Sequence, residues 1–258
     1  MIMVNKKFPL ISIVTVSWNS QNCIEDTIKS VLMQDYPNVE YIVVDGASTD
    51  DTLQIIKKYA DRITYFCSEP DNGVYDAMNK GISLAKGDWI IYMNCGDKFY
   101  DTNVVTTVFV QNEGLINQSV KVIYGDTIKV FKHGQTKIEK GNPVEVIKKF
   151  QPFIHQSAFF NIKNKNDAFF DCKYKIASDY NTTVRYFKKY GEISFLYIPT
   201  VVSVYEASDG LSARKENELK LLREYIRIKL SLNGFWLEAL KDEMKYVLKC
   251  LKVHKRLQ

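Results

Sequence analysis

Four short apolar runs, each ending in polar residues and alternating with helical patterns, constrain this chain more than any other feature. Leu10 to Ser17 is rich in Ile and Val and reads as a central strand that ends in Ser17, Trp18 and Asn19. Ile24, Ile28, Val31 and Leu32 then fall at helical spacing, with Glu25 and Asp26 in the first turn and Pro37 blocking continuation. Glu40 to Val44 is a second strand, ending in Asp45, Gly46, Ala47, Ser48, Thr49 and Asp50. Leu53, Ile55, Ile56 and Tyr59 continue as a helix, and Ile63 to Cys67 gives a third strand. After the polar turn Asp71, Asn72, Gly73, a helix carries Ala77, Ile82 and Leu84 until Lys86 and Gly87 stop it. Trp89 to Met93 follows as a strand buried on both faces, with Asn94, Cys95, Gly96 and Asp97 at its end. Strands alternating with helices demand βαβ crossovers and a parallel sheet. Ligands bind such sheets outside the carboxyl ends of the strands, so Ser17, Asp45 and Asp97 are expected along one edge. Taken alone, Asn94 to Asp97 is equally readable as a solvated turn.

The regular alternation then stops. Val120 to Gly125 reads as a strand, Thr127 to Glu139 as a hairpin around His133-Gly134, and Asn142-Pro143 as a break. Phe153 to Phe160 is an apolar run interrupted by His155, Gln156 and Ser157, which are either satisfied core polar groups or the floor of a pocket. Ser178 and Asp179 precede a helix through Arg185 to Lys189 that Gly191 ends, so from composition capping by either is the first reading and catalysis the second. Glu192 to Val204 gives one or two strands, and Ala207 to Arg214 a polar loop. Leu219, Leu222, Ile226 and Leu230 form one helical stripe, and Leu237, Leu240, Met244, Val247 and Leu251 a second. Past Glu243 there is no acidic residue, while Lys245, Lys249, Lys252, Lys255 and Arg256 accumulate. That face is either solvated or held against an anionic membrane surface.

Composition narrows the function classes. At 258 residues and 46% hydrophobic content, the chain can bury a core as one domain over 1–213 with a helical extension over 214–258. Thirty-five Lys and Arg against 30 Asp and Glu do not argue for a nucleic-acid partner. Five scattered Cys with no Cys-x-x-Cys suit a reducing compartment and exclude the usual zinc spacings, and the three His are too dispersed for a metal cluster. Lys6 and Lys7 precede the first strand without a cleavage site after it, and no run approaches the roughly 20 apolar residues of a membrane span. Neither G-x-G-x-x-G nor the P-loop pattern occurs. A bound nucleotide would need a carboxylate at its base or ribose and a metal across its diphosphate.

The three segments ISIVTVSWN, VVDGASTDDT and EPDNGVYDAMNKGISLAKGDWIIYMNCGD, in that order, resemble the family 2 glycosyltransferases. The resemblance is close from Pro9 to Asp101 and extends more loosely to Arg214 through HQS and IASDY. It is nearest the branch that builds bacterial O-antigen and capsule polysaccharides. It implies an α/β protein of the Rossmann-like GT-A fold, a mixed sheet flanked by helices. It also implies transfer of a sugar, with inversion, from a nucleotide-sugar donor, a UDP-sugar first, to a glycan or lipid-linked acceptor. The setting it implies is the cytoplasm or the inner face of the cytoplasmic membrane.

Carried over residue by residue, Thr15, Ser17 and Asn19 would line the nucleotide pocket, Asp45 would contact the base or ribose, and Ser48 and Asp50 share its loop. Asp76 and Lys80 fall where the family helix nears the nucleotide. Asn94 to Asp97 falls on the DxD-type motif, but Asn94 and Gly96 replace carboxylates, leaving Asp97 as the charged ligand for Mg²⁺ or Mn²⁺. Asp179 matches the catalytic base, and His155 and Gln156 lie in the acceptor pocket. The family's distal His is missing, with Arg214 nearby to neutralise the leaving diphosphate. Without the Q-x-x-R-W pattern of processive enzymes, one sugar per encounter is expected. A sugar nucleotidyltransferase and a non-catalytic scaffold of polysaccharide assembly are the alternatives.

Overall fold

The computed structural model describes residues 8–208, 215–231, 235, 237 and 239–246. Its first half is the parallel arrangement expected from the alternating pattern. Strands β1 (Ile11–Ser17), β2 (Val39–Asp45), β3 (Tyr65–Ser68) and β4 (Trp89–Tyr92) lie in the order β3-β2-β1-β4, all parallel. Helices α1 (Ile24–Leu32), α2 (Thr52–Lys57) and α3 (Val74–Leu84) make the crossovers. The register sets Ser17 opposite Asp45 and Asp45 opposite Ser68, so three strands end level with one another.

Strands β1, β2 and β4 are buried almost throughout because both faces are covered, whereas the edge strand β3 alternates half-buried and exposed residues. Ile11 and Ile13 of β1 pack with Ile24, Ile28 and Val31 of α1 on one side. Val14 and Val16 pack with Ala77, Met78 and Ile82 of α3 on the other. Gly81 sets how near α3 can lie: a Cβ there would stand 2.5 Å from Val14 Cγ1.

The second half turns the sheet mixed. Beside β4 come β8 (Ala158–Asn161), β6 (Val122–Val130), β9 (Phe195–Glu206) and β5 (Lys98–Phe99), and β7 (Thr136–Glu139) pairs with β6. Strand β8 is antiparallel to both β4 and β6, whereas β9 is parallel to β6. The edge that holds the carboxyl ends of β1 to β4 therefore also receives the beginning of β8 and the end of β9. The expected hairpin is present, with Thr127 opposite Glu139 and positive φ at His133 and Gly134. Glu192 to Val204, expected as one or two strands, contains a single strand that continues to Glu206.

Further α-helices among the described residues include α4 (Val104–Thr106), α5 (Lys165–Ala168), α6 (Ser178–Tyr190) and α7 (Glu218–Leu230). Tyr180 and Val184 of α6 form a third apolar cluster with Ile228 of α7 and Phe235. Packing thus runs across the change of composition near residue 214. Among the described residues no helix is long and apolar enough to cross a membrane.

Candidate active site

Two groups of side chains occupy the carboxyl-end edge. The first is centred on Asp45, which is fully buried at the end of β2. Its carboxylate accepts from the Ser48 N–H (2.8 Å) and from the hydroxyls of Ser48 (2.5 Å), Ser17 (3.0 Å) and Ser68 (2.8 Å). Asn19, at a φ of 46°, donates its N–H to Ser48 Oγ and accepts the Thr49 N–H at Oδ1. Asp50 accepts the Gln21 and Thr52 N–H groups. The loops after β1 and β2 are in this way tied to each other.

Gly46 marks where they close on the next turn, since a Cβ there would stand 2.4 Å from Asp71 Oδ2. Asp76 and Lys80 hold that turn: Asp76 accepts the Asn72 N–H (2.9 Å), and Lys80 Nζ donates to the Pro70 carbonyl (2.7 Å) and pairs with Glu69. Thr15 lies inside the core, its hydroxyl donating to the Met93 carbonyl and accepting from Tyr41. Of the residues expected to hold the donor, Ser17, Asn19, Asp45, Ser48 and Asp50 come together here. Trp18, 67% exposed, has its ring beside Gly46 of the loop after β2.

The second group lines a cavity of about 880 Å³ between the ends of β4 and β9, the start of β8 and the first turns of α3 and α6. Asn94, Gly96 and Asp97 form one wall. Gly96 has a φ of 97°, and this left-handed turn, closed by the Asp97 N–H on the Asn94 carbonyl, explains why glycine stands in the motif. Asp97 is 4% exposed, and its Oδ1 accepts the Glu206 N–H at 3.1 Å. Burial pushes its carboxyl up to about 8, with the Glu206 carboxylate adding to the shift and the Gln156 side-chain amide opposing it.

Glu206 faces the same cavity. It was missed in the sequence because the strand carrying it was ended at Val204; the strand-end rule, run two residues further, would have found it. With Asn94 Oδ1 buried and without a partner, the wall offers hard oxygen donors. Among the described residues no three His, Cys, Asp or Glu side chains could hold a metal by themselves. The set fits a divalent cation whose coordination is completed by substrate phosphates.

Asp179 lines the same cavity from the first turn of α6. The helix has Ala177 at its capping position, and Ser178 Oγ is engaged with the Asp171 carbonyl. Asp179 Oδ1 lies 3.2 Å from the Tyr75 hydroxyl, whose single proton has a nearer acceptor in the Ile176 carbonyl at 2.7 Å. Burial raises the Asp179 carboxyl above its ordinary range, against the lowering by the N–H groups at the helix start and by Tyr75.

His155 and Gln156 line the cavity too, because β8 runs against its neighbours and begins here. The His155 ring packs on Tyr92, Phe160 and Phe170 at centroid distances of 5.3, 5.6 and 5.5 Å. Burial lowers it to about 4, so it is neutral near pH 7, and neither ring nitrogen has a partner. Gln151 Oε1 is likewise unpartnered on the same cavity. Buried polar atoms without partners are rare, and their convergence on one cavity fits a ligand rich in hydroxyl groups. Arg214, Lys249, Lys252, Lys255 and Arg256 lie outside the described residues, while Lys245 is paired with Asp242 at 3.0 Å.

Residues 12–108 match the profile of glycosyl transferase family 2. An uncharacterised glycosyltransferase of Mycobacterium tuberculosis is 40% identical over 98 residues, 38% of this chain. The match spans 37% of that relative's length. The putative teichuronic acid biosynthesis glycosyltransferase TuaG of Bacillus subtilis (strain 168) is 39% identical, over 35% of this chain and 37% of its own. A PGL/p-HBAD biosynthesis glycosyltransferase of Mycobacterium bovis is 26% identical over 79% of each chain. Among solved structures, S. aureus TarS 1-349 in complex with UDP-GlcNAc has a TM-score of 0.62 at 16% identity, covering 92% of this chain and 71% of its own. The mannosyltransferase PcManGT from Pyrobaculum calidifontis, in complex with GDP-Man and Mn²⁺, has a TM-score of 0.63 at 16% identity, covering 98% and 81%. These likenesses establish the fold: the mixed GT-A sheet implied by the motifs is the one found.

Proposed function

We propose, from the match of residues 12–108 to the glycosyl transferase family 2 model, that this chain is an inverting transferase of that family, moving a sugar from a nucleotide-sugar donor to an acceptor hydroxyl. The observation that carries the reading is one cavity lined by both Asp97 and Asp179. The nucleotide-sugar class is supported by neighbours held with UDP-GlcNAc and with GDP-Man, and the preference for a UDP-sugar by the motif resemblance. A growing or lipid-linked surface glycan as acceptor is supported by relatives named for teichuronic acid and PGL/p-HBAD biosynthesis. O-antigen or capsule assembly, and work at the inner face of the cytoplasmic membrane, belong to the same proposal.

In this reading the nucleoside lies against the loops tied through Asp45, Ser17, Asn19 and Ser48, with the exposed Trp18 ring as a stacking surface. The diphosphate points to the Asn94 to Asp97 turn, and the sugar enters the cavity toward His155 and Gln151. Asp97, with Asn94 and Glu206 beside it, would hold a divalent cation, which supplies positive charge for the departing diphosphate.

Asp179 takes the proton from the acceptor hydroxyl as that oxygen bonds to the anomeric carbon. The bond to the diphosphate breaks on the opposite face, which inverts the centre. A carboxyl raised by burial is better matched to that task near pH 7 than an exposed one. No second carboxylic acid is required, because a diphosphate leaves without being protonated by the protein, unlike the leaving oxygen in glycoside hydrolysis.

The test is thermal unfolding of the protein with UDP-N-acetylglucosamine, GDP-mannose and further nucleotide sugars, each with and without Mn²⁺, followed by assay of nucleoside diphosphate release. A donor that raises the melting temperature in a Mn²⁺-dependent way and is turned over supports the reading. Pyrophosphate formed from a nucleoside triphosphate and a sugar phosphate would replace it with nucleotidyl transfer, and no response to any donor would reject it.

A further inference from the structure

We propose that Glu224 is a positioning residue for Asp179, acting from helix α7 through the three residues that lead the base into the cavity. Glu224 is 8% exposed, and its carboxylate gathers three successive backbone N–H groups. Lys175 donates to Oε1 at 2.7 Å, and Ile176 and Ala177 donate to Oε2 at 2.9 Å each. Successive N–H groups converging on one anion form a nest, and charge-assisted bonds are the stronger kind. The next residues, Ser178 and Asp179, open the 13-residue helix α6, whose capping position is the alanine Ala177. Glu224 thus supplies from another helix the negative group that this N-terminus lacks in its own capping side chain.

Both ends of the clamp are fixed. On α7, Tyr225 stacks on Tyr180 with centroids 4.4 Å apart and planes 11° from parallel, and Ile228 joins the apolar cluster of Tyr180 and Val184. One turn on from Tyr225, buried Lys229 donates to the Lys149 carbonyl (2.7 Å) and pairs with Asp242 (2.5 Å). From the opposite side, the Tyr75 hydroxyl of α3 holds the Ile176 carbonyl. The segment 175–177 is therefore gripped by its N–H groups from α7 and by a carbonyl from α3, and the Asp179 side chain projects from its end. The ionisable groups facing Asp179 are Tyr75 from α3, and Glu224 and Tyr225 from α7. Glu224 acts on it as a like charge that favours the protonated form.

The inference rests on Asp179 as the base, and the experiment separates the two. Glu224→Gln and Glu224→Asp are made alone and with Asp179→Asn. The readouts are kcat and donor KM for release of nucleoside diphosphate from UDP-N-acetylglucosamine and GDP-mannose, the melting temperature, and the Asp179 titration followed by carboxyl ¹³C NMR. An amide carries one acceptor oxygen in place of two, so Glu224→Gln is expected to lower kcat about 10-fold or more with donor KM changed less than about 3-fold. The Asp179 titration should move to lower pH as the like charge is removed. Glu224→Asp should recover part of kcat, and Glu224→Gln should add no further loss where Asp179→Asn is already present, because residues acting through one another are not additive.

An unchanged kcat with an unmoved Asp179 titration overturns the proposal. So does a loss that follows the melting temperature alone, or one that adds fully to that of Asp179→Asn. Should Glu224→Gln not fold, Glu224→Asp carries the same readouts. Turnover surviving Asp179→Asn rejects the base itself, and the NMR titration then decides the Glu224 contact without reference to turnover.

Discussion

Two regions of one sheet edge hold buried carboxylates in opposite conditions. Asp45, in the parallel half, receives four hydrogen bonds from Ser17, Ser48 and Ser68, and it ties together the ends of β1, β2 and β3. Asp97 and Asp179, facing the mixed half, have burial raising their carboxyls, with Asn94, Gln151 and His155 unpartnered around them. A buried acceptor that is fully bonded supports the fold, whereas one left short opposes it and is available to a ligand. The contrast separates a preformed cradle from a cavity whose polar atoms are held ready, and departures from local consistency are expected where function resides.

The largest effect on the folded state is expected from Asp45→Ala, which strands the Ser48 N–H and removes the acceptor of three hydroxyls. A loss of roughly 3 kcal/mol or more in urea unfolding is expected. Stability near that of the wild type would erase the distinction between the two regions.

Asp97→Asn should act in the other direction. Burial raises the folded pKa from 3.8 to about 8, so the stability contributed by this carboxyl is present below 3.8 and lost as pH rises through about 8. At pH 9 without metal the ionised group therefore opposes folding. The variant should melt above the wild type there, by the equivalent of roughly 2 kcal/mol, and the gap should close below pH 4. A lower melting temperature at pH 9 would show that Asp97 is as well supported as Asp45. The same variant should lose Mn²⁺-dependent stabilisation by nucleoside diphosphate.

The smallest effect is expected from His155→Phe. The ring already lies among Tyr92, Phe160 and Phe170 with no hydrogen bond to lose, so stability should stay within about 1 kcal/mol while substrate KM rises. A drop of several kcal/mol in chemical denaturation would mean that the imidazole is engaged.

The parallel half was readable in the sequence because each of its signals is local. An apolar run, its polar end and the helix after it lie within some twenty-five residues, and the observed strand limits fall within two residues of the expected ones. Alternation along β1 also places Thr15 on the face of Ile11 and Ile13, away from any pocket on the α3 side. The cavity was half readable. Asn94 to Asp97, Asp179 and the HQS run all line it, yet the contacts that define their state join distant parts of the chain. Glu206 meets Asp97 across 109 positions, Tyr75 meets Asp179 across 104, and Glu224 meets Ala177 across 47. No periodicity encodes such pairs. The reversal of β8, which brings His155 to an edge otherwise made of strand ends, follows from sheet topology and leaves no mark in composition.

The central claim, that Asp179 is the base in the cavity it shares with Asp97, is tested most directly by the turnover of Asp179→Asn measured beside its melting temperature and donor affinity. Asn has nearly the same shape and keeps an oxygen for Tyr75, but its amide has no basic lone pair near neutral pH. Turnover should fall by about 10²-fold or more, with donor affinity unchanged and the melting temperature equal to or above that of the wild type. Near-wild-type turnover in a folded, donor-binding Asp179→Asn protein would contradict the account.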